Sequence, residues 1–261
     1  MRIAAGVEYL GSAYCGWQRL GHAPSVQECV EAALARVADE SVNVVCAGRT
    51  DTGVHASGQV IHFDTGADRP EHGWLMGTNG HLPDDIALRW VRIMGDTAFH
   101  ARFSARSRRY RYVILNRKGR PALLNQRAAW YRQTLDAGRM QEAAQALLGE
   151  QDFSSFRAAG CQARHAVREI HSLNITRAGD FIYLDIVANA FLHHMVRNIT
   201  GSLLVIGRGE QPVGWMAELL AGRDRTVAGP TAPAAGLYFV HVEYPPEYSL
   251  PAGYCLPQFA L

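Results

Sequence analysis

The chain has 261 residues, 48% of them hydrophobic and 19% charged, with 26 basic and 24 acidic side chains. This length and composition exclude a disordered chain or a small disulfide scaffold and allow a large core in one or two domains. Five cysteines without a C-x-x-C pair argue against disulfides and zinc knuckles and favour a reducing compartment. Because a signal peptide and any apolar run of membrane-spanning length are also lacking, we expect a soluble, cytoplasmic protein with no membrane association.

The first half of the chain alternates between strand and helix patterns. Period-two alternation, a β-branched run and a capping box formed by Ser25 and Glu28 are typical of these elements. In chain order we predict a strand at 3–9, a helix beginning at Val26, strands at 42–46 and 59–63, a short helix opened by Pro70 and a strand at 86–91. The predicted order of the elements is therefore βαββαβ.

The second half is predicted to repeat this order. In chain order we predict a strand at 107–115, a helix capped by Asp136 and ended by Gly149, strands at 167–176 and 181–188 joined by a hairpin turn, a helix at 192–206, a helix opened by Pro212 and a strand at 237–244. Two successive βαββαβ patterns predict an α/β (α+β) fold of two tandem ferredoxin-like domains, with antiparallel sheets about a central basic cleft. We place the N-terminal domain at 1–103, the C-terminal domain at 104–245 and an irregular tail at 246–261.

Positive charge is concentrated in one stretch of the chain. Residues 97–135 hold ten basic side chains and no Asp or Glu, so the rest of the chain has 16 basic and 24 acidic residues. A cationic segment within an otherwise acidic chain favours a polyanionic partner such as nucleic acid, although a solvated, arginine-rich strand is the simpler alternative. The aromatic residues interleaved in it would add surfaces on which bases stack: Phe99, Phe103, Tyr110, Tyr112, Trp130 and Tyr131. A second, weaker basic group would extend the same groove: Arg157, Arg164, His165 and Arg168.

The glycine-rich stretch at 47–60 is the strongest candidate for a chemical site. It places Asp51 and Arg49 on a turn between two predicted strands, where side chains are held at the rim of a rigid scaffold. The Asp51 carboxylate could serve as a nucleophile, a general base, a metal ligand or a turn former.

Neighbouring residues also match two other kinds of site, an aspartic-protease site and a metal site. Asp51-Thr52-Gly53 and Asp64-Thr65-Gly66 both match the aspartic-protease triplet, but they are thirteen residues apart, too close to lie on the matching loops of two symmetric lobes. His55, His62 and Asp64 could form a metal site, although no H-E-x-x-H or Cys cluster supports one. His193 and His194 are adjacent on a predicted helix and would not share one face.

Several motifs, in the same order along nearly the full chain, resemble those of the tRNA pseudouridine synthase A family. The residues Gly48 to Val60 resemble the catalytic motif of that family. The other matching motifs are Tyr14–Arg19, Phe99–Ala105, Arg109–Tyr112, Asp152–Phe156 and Phe191–Asn198. The resemblance implies an enzyme that converts uridine to pseudouridine at positions 38, 39 and 40 of the tRNA anticodon stem-loop. It also implies a homodimer of two-domain subunits that uses no cofactor and no catalytic metal.

The resemblance also assigns roles to individual residues. Asp51 matches the essential aspartate, Arg197 the arginine paired with it, Tyr110 the tyrosine that stacks on the target base, and Arg49 the residue that replaces the flipped base. The matched or neighbouring positions expected to contact tRNA are Arg69, Phe99, His100, Arg102, Phe103, Gln162 and Arg164. Thr52 stands where alanine is common in the family.

The expected reaction breaks the bond from ribose C1′ to N1 of uracil and joins C1′ to C5, so it needs no electron carrier. Either attack of the carboxylate on C1′ or removal of the C2′ proton would release the base, and the sequence does not choose between these routes. Extraction of the base from the stack costs a few kcal/mol, which contacts to Tyr110 and Arg49 would offset. The alternative from another class is a non-catalytic RNA-binding protein or chaperone, because ferredoxin-like units with a basic, aromatic face also bind RNA.

Overall fold

A computed structural model describes residues 1–95, 98–251, 253 and 256–259. The chain forms two compact units: Met1–Arg106 with Phe239–Pro257, and Ser107–Tyr238 with Gln258–Leu261. In chain order the strands and helices are β1 (Arg2–Tyr9), α1 (Val26–Ala38), β2 (Val45–Cys46), β3 (His55–Asp64), α2 (Glu71–Asn79), β4 (Ile86–Gly95), β5 (Ser107–Asn116), β6 (Ala129–Tyr131), α3 (Ala137–Ala144), β7 (Gly149–Asp152), β8 (Val167–Ala178), β9 (Phe181–Ala188), α4 (Met195–Gly207), α5 (Trp215–Gly222) and β10 (Leu237–Glu243).

Each unit combines helices with a mostly antiparallel sheet, which confirms the predicted α/β class. In the first unit the strands follow the order β4-β1-β3, and the part of β10 in this unit lies beside β3. The register pairs Ala4 with His62 and Gly6 with Val60. Helix α1 begins at the predicted residue, because the Ser25 hydroxyl accepts a hydrogen bond from the Glu28 backbone N–H at 3.4 Å.

Strand β2 is shorter than predicted. The β-branched run at 42–46 pairs with β3 only at Val45 and Cys46. The backbone N–H of Val44 instead donates to the buried carboxylate of Glu31 on α1, at 2.9 Å. A side chain of the helix therefore satisfies a backbone donor that the prediction assigned to a strand ladder.

The free edge of β4 is occupied by side chains. The Asn79 amide donates to the Leu88 carbonyl at 3.0 Å and accepts from the Leu88 N–H at 2.7 Å. The Glu71 carboxylate accepts from the N–H of Ile93 at 3.0 Å. Helix α2 thus supplies the hydrogen-bond partners that a further strand would otherwise provide.

The second unit has the strand order β5-β9-β8-β7, and β6 pairs in parallel with β5. The predicted order is incomplete here, because β6 and β7 are additional, whereas the two helices that precede β10 were both predicted. Strand β7 begins at Gly149, which has a φ of 81° and turns the chain after a short 3₁₀ segment. The tandem ferredoxin-like arrangement and the boundaries of the predicted domains stay predictions.

Helix α4 is the most deeply buried helix of the second unit. A Cβ on Gly201 would lie 1.6 Å from the Pro230 carbonyl oxygen, so the backbone at 229–232 packs directly on the helix. The buried Asn198 amide donates to the Phe156 carbonyl and accepts from Arg225 and Thr231. The helix begins at Met195 and not at residue 192, so His193 and His194 precede it. The centroids of their imidazole rings are 4.0 Å apart.

Within the described ranges, no helix combines the length and the apolar character needed to cross a membrane.

Candidate functional site

Asp51 lies half-buried on the loop between β2 and β3. Backbone hydrogen bonds fix the chain on both sides of it. The carbonyl of Thr50 accepts from the Trp17 N–H at 3.0 Å, the Asp51 carbonyl accepts from the Val54 N–H at 3.1 Å, and the Gly53 N–H donates to the Tyr14 carbonyl at 3.4 Å. The loop is therefore held by the segment that follows β1.

Side chains add a second set of anchors to the same loop. The Tyr9 phenol and the Thr50 hydroxyl hydrogen bond at 2.8 Å in the core, and the Gln59 amide donates to the Gly48 carbonyl at 2.6 Å. Burial raises the pKa of Tyr9 well above its ordinary value, so the phenol stays neutral. Residues on both sides of Asp51 thus have fixed positions, which limits the directions its carboxylate can adopt.

Gly11 and Gly16 allow this close packing. A Cβ on Gly11 would lie 1.9 Å from the Val54 carbonyl oxygen, and the Gly11 N–H donates to Nδ1 of the buried His55 at 2.9 Å. Gly16 has a φ of 91°, a region that favours glycine.

Replacing Gly11 by alanine is therefore expected to displace the Asp51 loop. We expect the free energy of unfolding to fall by about 1–3 kcal/mol, as for other overpacked sites, and the activity of the folded fraction to fall with it. Urea unfolding and initial rates at equal folded concentration would measure the two effects. Gly21→Ala is the matched control because a Cβ there meets nothing within 4 Å. Equal behaviour of the two variants would contradict the proposed packing.

The cationic side chains predicted for this unit are exposed. Arg49 lies two residues before Asp51 and is exposed, as are Arg102 and Arg69. One guanidinium nitrogen of Arg69 donates to the carbonyl of Asp68 at 3.3 Å. Burial raises the pKa of the Cys46 thiol at the end of β2, and the positive charges of Arg49 and Arg102 act in the opposite direction.

Phe99 is fully buried, so the expectation that it contacts tRNA is corrected. Its ring packs against Tyr244 and Tyr248, with centroids 5.2 Å and 5.1 Å away, and its carbonyl accepts from Arg2. The residue anchors the segment that presents its neighbours. His100 is half-buried, whereas Phe103 is 76% exposed.

The side chains of the alternative metal site have other partners. His62 Nδ1 accepts a hydrogen bond from the Ala101 N–H at 3.1 Å, and His55 Nδ1 accepts one from Gly11. Asp64 forms a bidentate pair with Arg2, with both distances 2.8 Å. These bonds engage one ring nitrogen of each imidazole and both carboxylate oxygens of Asp64.

In the second unit, Tyr110 and Arg197 occupy β5 and the first turn of α4. The Tyr110 ring is 8% exposed and meets Phe191 edge to face at 5.0 Å. Arg197 is half-buried, and its Nε donates to the Ala232 carbonyl at 2.8 Å. Its positive charge also acts on the phenol of Tyr112, which lies on the same face of β5 as Tyr110. Phe191 belongs to a matched motif, but its place beside Tyr110 depends on a tertiary contact that a local pattern does not contain.

Gln162 and Arg164 are exposed on the loop at 157–165. Both residues are predicted to contact tRNA. Arg157 shapes this loop by donating to the carbonyls of Cys161 and Ala163 at 2.8 Å and 2.7 Å. The His193 carbonyl accepts from the Ala158 N–H at 3.1 Å. The loop is therefore joined to the residues that lead into α4.

Not every member of the cationic segment is available to a polyanion. Arg111 is buried and forms a bidentate pair with Asp185 on β9, at 2.8 Å and 2.7 Å. Tyr112 is also buried, and its phenol donates to the Pro233 carbonyl. The side chains of these two residues are buried, so neither the charge of Arg111 nor the ring of Tyr112 is offered to a polyanion.

The mixed α/β fold and the half-buried Asp51 on an anchored loop, with the exposed Arg49 two residues away, define a protein whose site suits a polyanionic substrate. A family profile described as tRNA pseudouridine synthase matches residues 5–104 and 143–245. A tRNA pseudouridine synthase A of Aeromonas hydrophila is 59% identical over 251 residues, covering 96% of this chain and 93% of that protein. Proteins of the same name from Hydrogenovibrio crunogenus and Xanthomonas euvesicatoria are 57% and 58% identical, covering 95% and 97% of this chain and 95% and 98% of theirs.

This chain belongs to the tRNA pseudouridine synthase family. A solved structure titled "Crystal Structure of a Cbf5-Nop10-Gar1 Complex" covers 91% of this chain and 48% of that chain, at 11% identity and a TM-score of 0.37. That TM-score is too low to support a conclusion about fold or function.

Proposed function

We propose that this chain isomerises uridine to pseudouridine at positions 38, 39 and 40 in the anticodon stem-loop of tRNA. The observation that carries the proposal is the position of Asp51, half-buried on a loop that Tyr9, Trp17 and Gln59 hold in place. Membership of the family and identities of 57% to 59% to tRNA pseudouridine synthases A support the substrate and the reaction.

In the proposed reaction the bond between ribose C1′ and N1 of uracil breaks, and C1′ joins C5. The Asp51 carboxylate either adds to C1′, forming an ester bond that breaks when C5 attacks C1′, or takes the C2′ proton, which it returns to C2′ when C5 joins C1′. Each route frees the base to turn. When the new bond has formed, the hydrogen of C5 is lost and N1 gains one, so product and substrate are isomers. No electron acceptor or hydrolytic water enters the balance.

Residues of the second unit complete the proposed site. We propose that Arg197 pairs with Asp51, keeping its carboxylate ionised and oriented through a charge-assisted hydrogen bond. Tyr110 would support the flipped base, and Arg49 would fill the position that the base leaves. The remaining proposed contacts to the phosphates and bases of tRNA are Arg69, His100, Arg102, Phe103, Gln162 and Arg164.

A basic cleft lined by these residues, a homodimeric assembly and a cytoplasmic location complete the proposal. The concentration of ten basic residues within 97–135 supports the tRNA partner.

Mapping pseudouridines in unmodified tRNA after incubation with the purified protein tests the proposed function. We expect new pseudouridines at positions 38, 39 and 40 of transcripts that have uridine there. Binding of the transcript without conversion would instead identify a non-catalytic RNA-binding protein and overturn the proposal.

A further inference from the structure

Phe103 is the most exposed large apolar side chain among the described residues of the first unit. Its ring is nevertheless ordered by stacking on the imidazole of His100, with centroids 4.3 Å apart and planes 27° apart. The imidazole therefore covers part of the phenyl ring, and the residue nevertheless remains 76% exposed. A rigid, exposed ring is suited to stacking against a nucleobase.

The support beneath Phe103 is built from several bonds. His100 Nδ1 accepts the backbone N–H groups of Arg102 and Phe103, at 3.2 Å and 3.1 Å. The His100 N–H donates to the Ser104 hydroxyl, and the His100 carbonyl accepts from the Ser104 N–H. The imidazole packs in turn against that of His62 at 4.7 Å. These contacts define both the course of residues 100–104 and the plane of the Phe103 ring.

The imidazole of His100 must be neutral to accept at Nδ1. Burial lowers the pKa of His100, and the positive charges of Arg2 and Arg102 lower it further. The phenyl ring therefore stacks on an uncharged imidazole at neutral pH.

The surroundings favour RNA as the partner of the exposed ring. The guanidinium of Arg102, an exposed residue, lies over the Phe103 ring, 5.5 Å from its centre, in a segment with no Asp or Glu. Ala101 is bonded to His62, which pairs with Val45 on β2. Arg102, next to Phe103, and Arg49, two residues before Asp51, both act electrostatically on the Cys46 thiol, so the segment that carries the ring and the Asp51 loop both come within electrostatic reach of the end of β2.

We propose that Phe103 stacks on an unpaired base close to the target uridine, and that His100 is a positioning residue that holds the phenyl ring for it. The inference rests on the proposed function, because it requires the same RNA substrate. It assigns a specific use to the exposed ring: recognition of a flanking, single-stranded nucleotide by stacking, without readout of its base edges. Such recognition tolerates any of the four bases.

Photo-crosslinking tests which molecule touches the ring. We would introduce p-azidophenylalanine at position 103, and at the exposed Met76 of α2 as the control, and irradiate each protein with an anticodon stem-loop transcript. We expect a crosslink to a loop nucleotide other than the target from position 103, and none from position 76. A crosslink to a second copy of the chain, or equal RNA labelling from both positions, would overturn the inference.

Substitutions test the stacking and the support separately. Phe103→Leu removes the aromatic face and should weaken transcript binding by about 5- to 150-fold, whereas Phe103→Trp should retain it. His100→Asn keeps a side-chain acceptor but removes the supporting ring. It should raise KM with little change in kcat, and its effect should vanish in the Phe103→Leu background. Additive effects would contradict the positioning role. Wild-type protein that forms no pseudouridine would refute the proposed function, whereas an active Phe103→Leu variant with unchanged binding refutes only this inference.

Discussion

Replacing Asp51 by asparagine is expected to abolish pseudouridine formation while tRNA binding persists. The amide can neither attack C1′ nor accept the C2′ proton, and loss of a general base alone costs about 10²- to 10⁴-fold in rate. Affinity should change little, because contacts from the many arginines to phosphates dominate binding. Single-turnover conversion of a transcript and a filter-binding titration in the same buffer would measure the two quantities.

Asp64→Asn is the matched control for this variant. Asp64 belongs to the other Asp-Thr-Gly triplet, but its carboxylate is largely exposed and pairs with Arg2. An exposed ion pair contributes about 0–1 kcal/mol to stability, so this variant should fold and convert uridine at the normal rate. If Asp64→Asn were inactive and Asp51→Asn active, the carboxylate would have been assigned to the wrong loop.

Acidification is expected to destabilise the first unit through His62. Burial lowers the pKa of His62 to about 4, and the nearby His100 and Arg2 act in the same direction. Because the folded state has the lower pKa, the unfolded chain binds the proton more readily below the ordinary pKa near 6.5. The stability contributed by neutral His62 is therefore complete above pH 6.5 and is lost as the pH falls toward 4, by about 3 kcal/mol.

Urea unfolding of the wild type and of His62→Asn at several values between pH 7 and pH 4 would measure this effect. Asparagine offers an acceptor near the position of Nδ1 for the Ala101 N–H but does not titrate. The variant is expected to be less stable at pH 7 because of its smaller volume, yet to lose less stability on acidification. Parallel curves for the two proteins would show that His62 is not responsible for the pH dependence.

Local chemistry made the starts of α1 and α3 and most strands predictable from the sequence. Ser25 caps α1 and Asp136 caps α3 at the predicted residues, because each cap depends only on atoms three residues apart. The run at 42–46 pairs as a strand only at Val45 and Cys46, because Glu31, distant in sequence, accepts a hydrogen bond from the N–H of Val44. Such tertiary competition leaves no trace in a local pattern.

The candidate site likewise combines features that a local pattern predicts with features that depend on tertiary contacts. The motif around Asp51 was evident from its residue types, but the anchors provided by Tyr9, Gly11 and Trp17 depend on a contact between separate segments. Composition identified a cationic segment without showing which members face solvent. Arg111 pairs across strands with Asp185, and this pairing needs the register of β5 and β9, which composition does not contain.

The occupied edge of β4 restricts how two copies of this chain can associate. Extension of the first unit's sheet by a strand from another molecule would first have to break the bonds that Asn79 and Glu71 make with Leu88 and Ile93. Each bond lost there exposes a polar group that the incoming strand must satisfy again, so docking at this edge gains little net free energy. A symmetric pair of subunits should consequently meet through side chains on another surface, and not through a shared ladder at this strand.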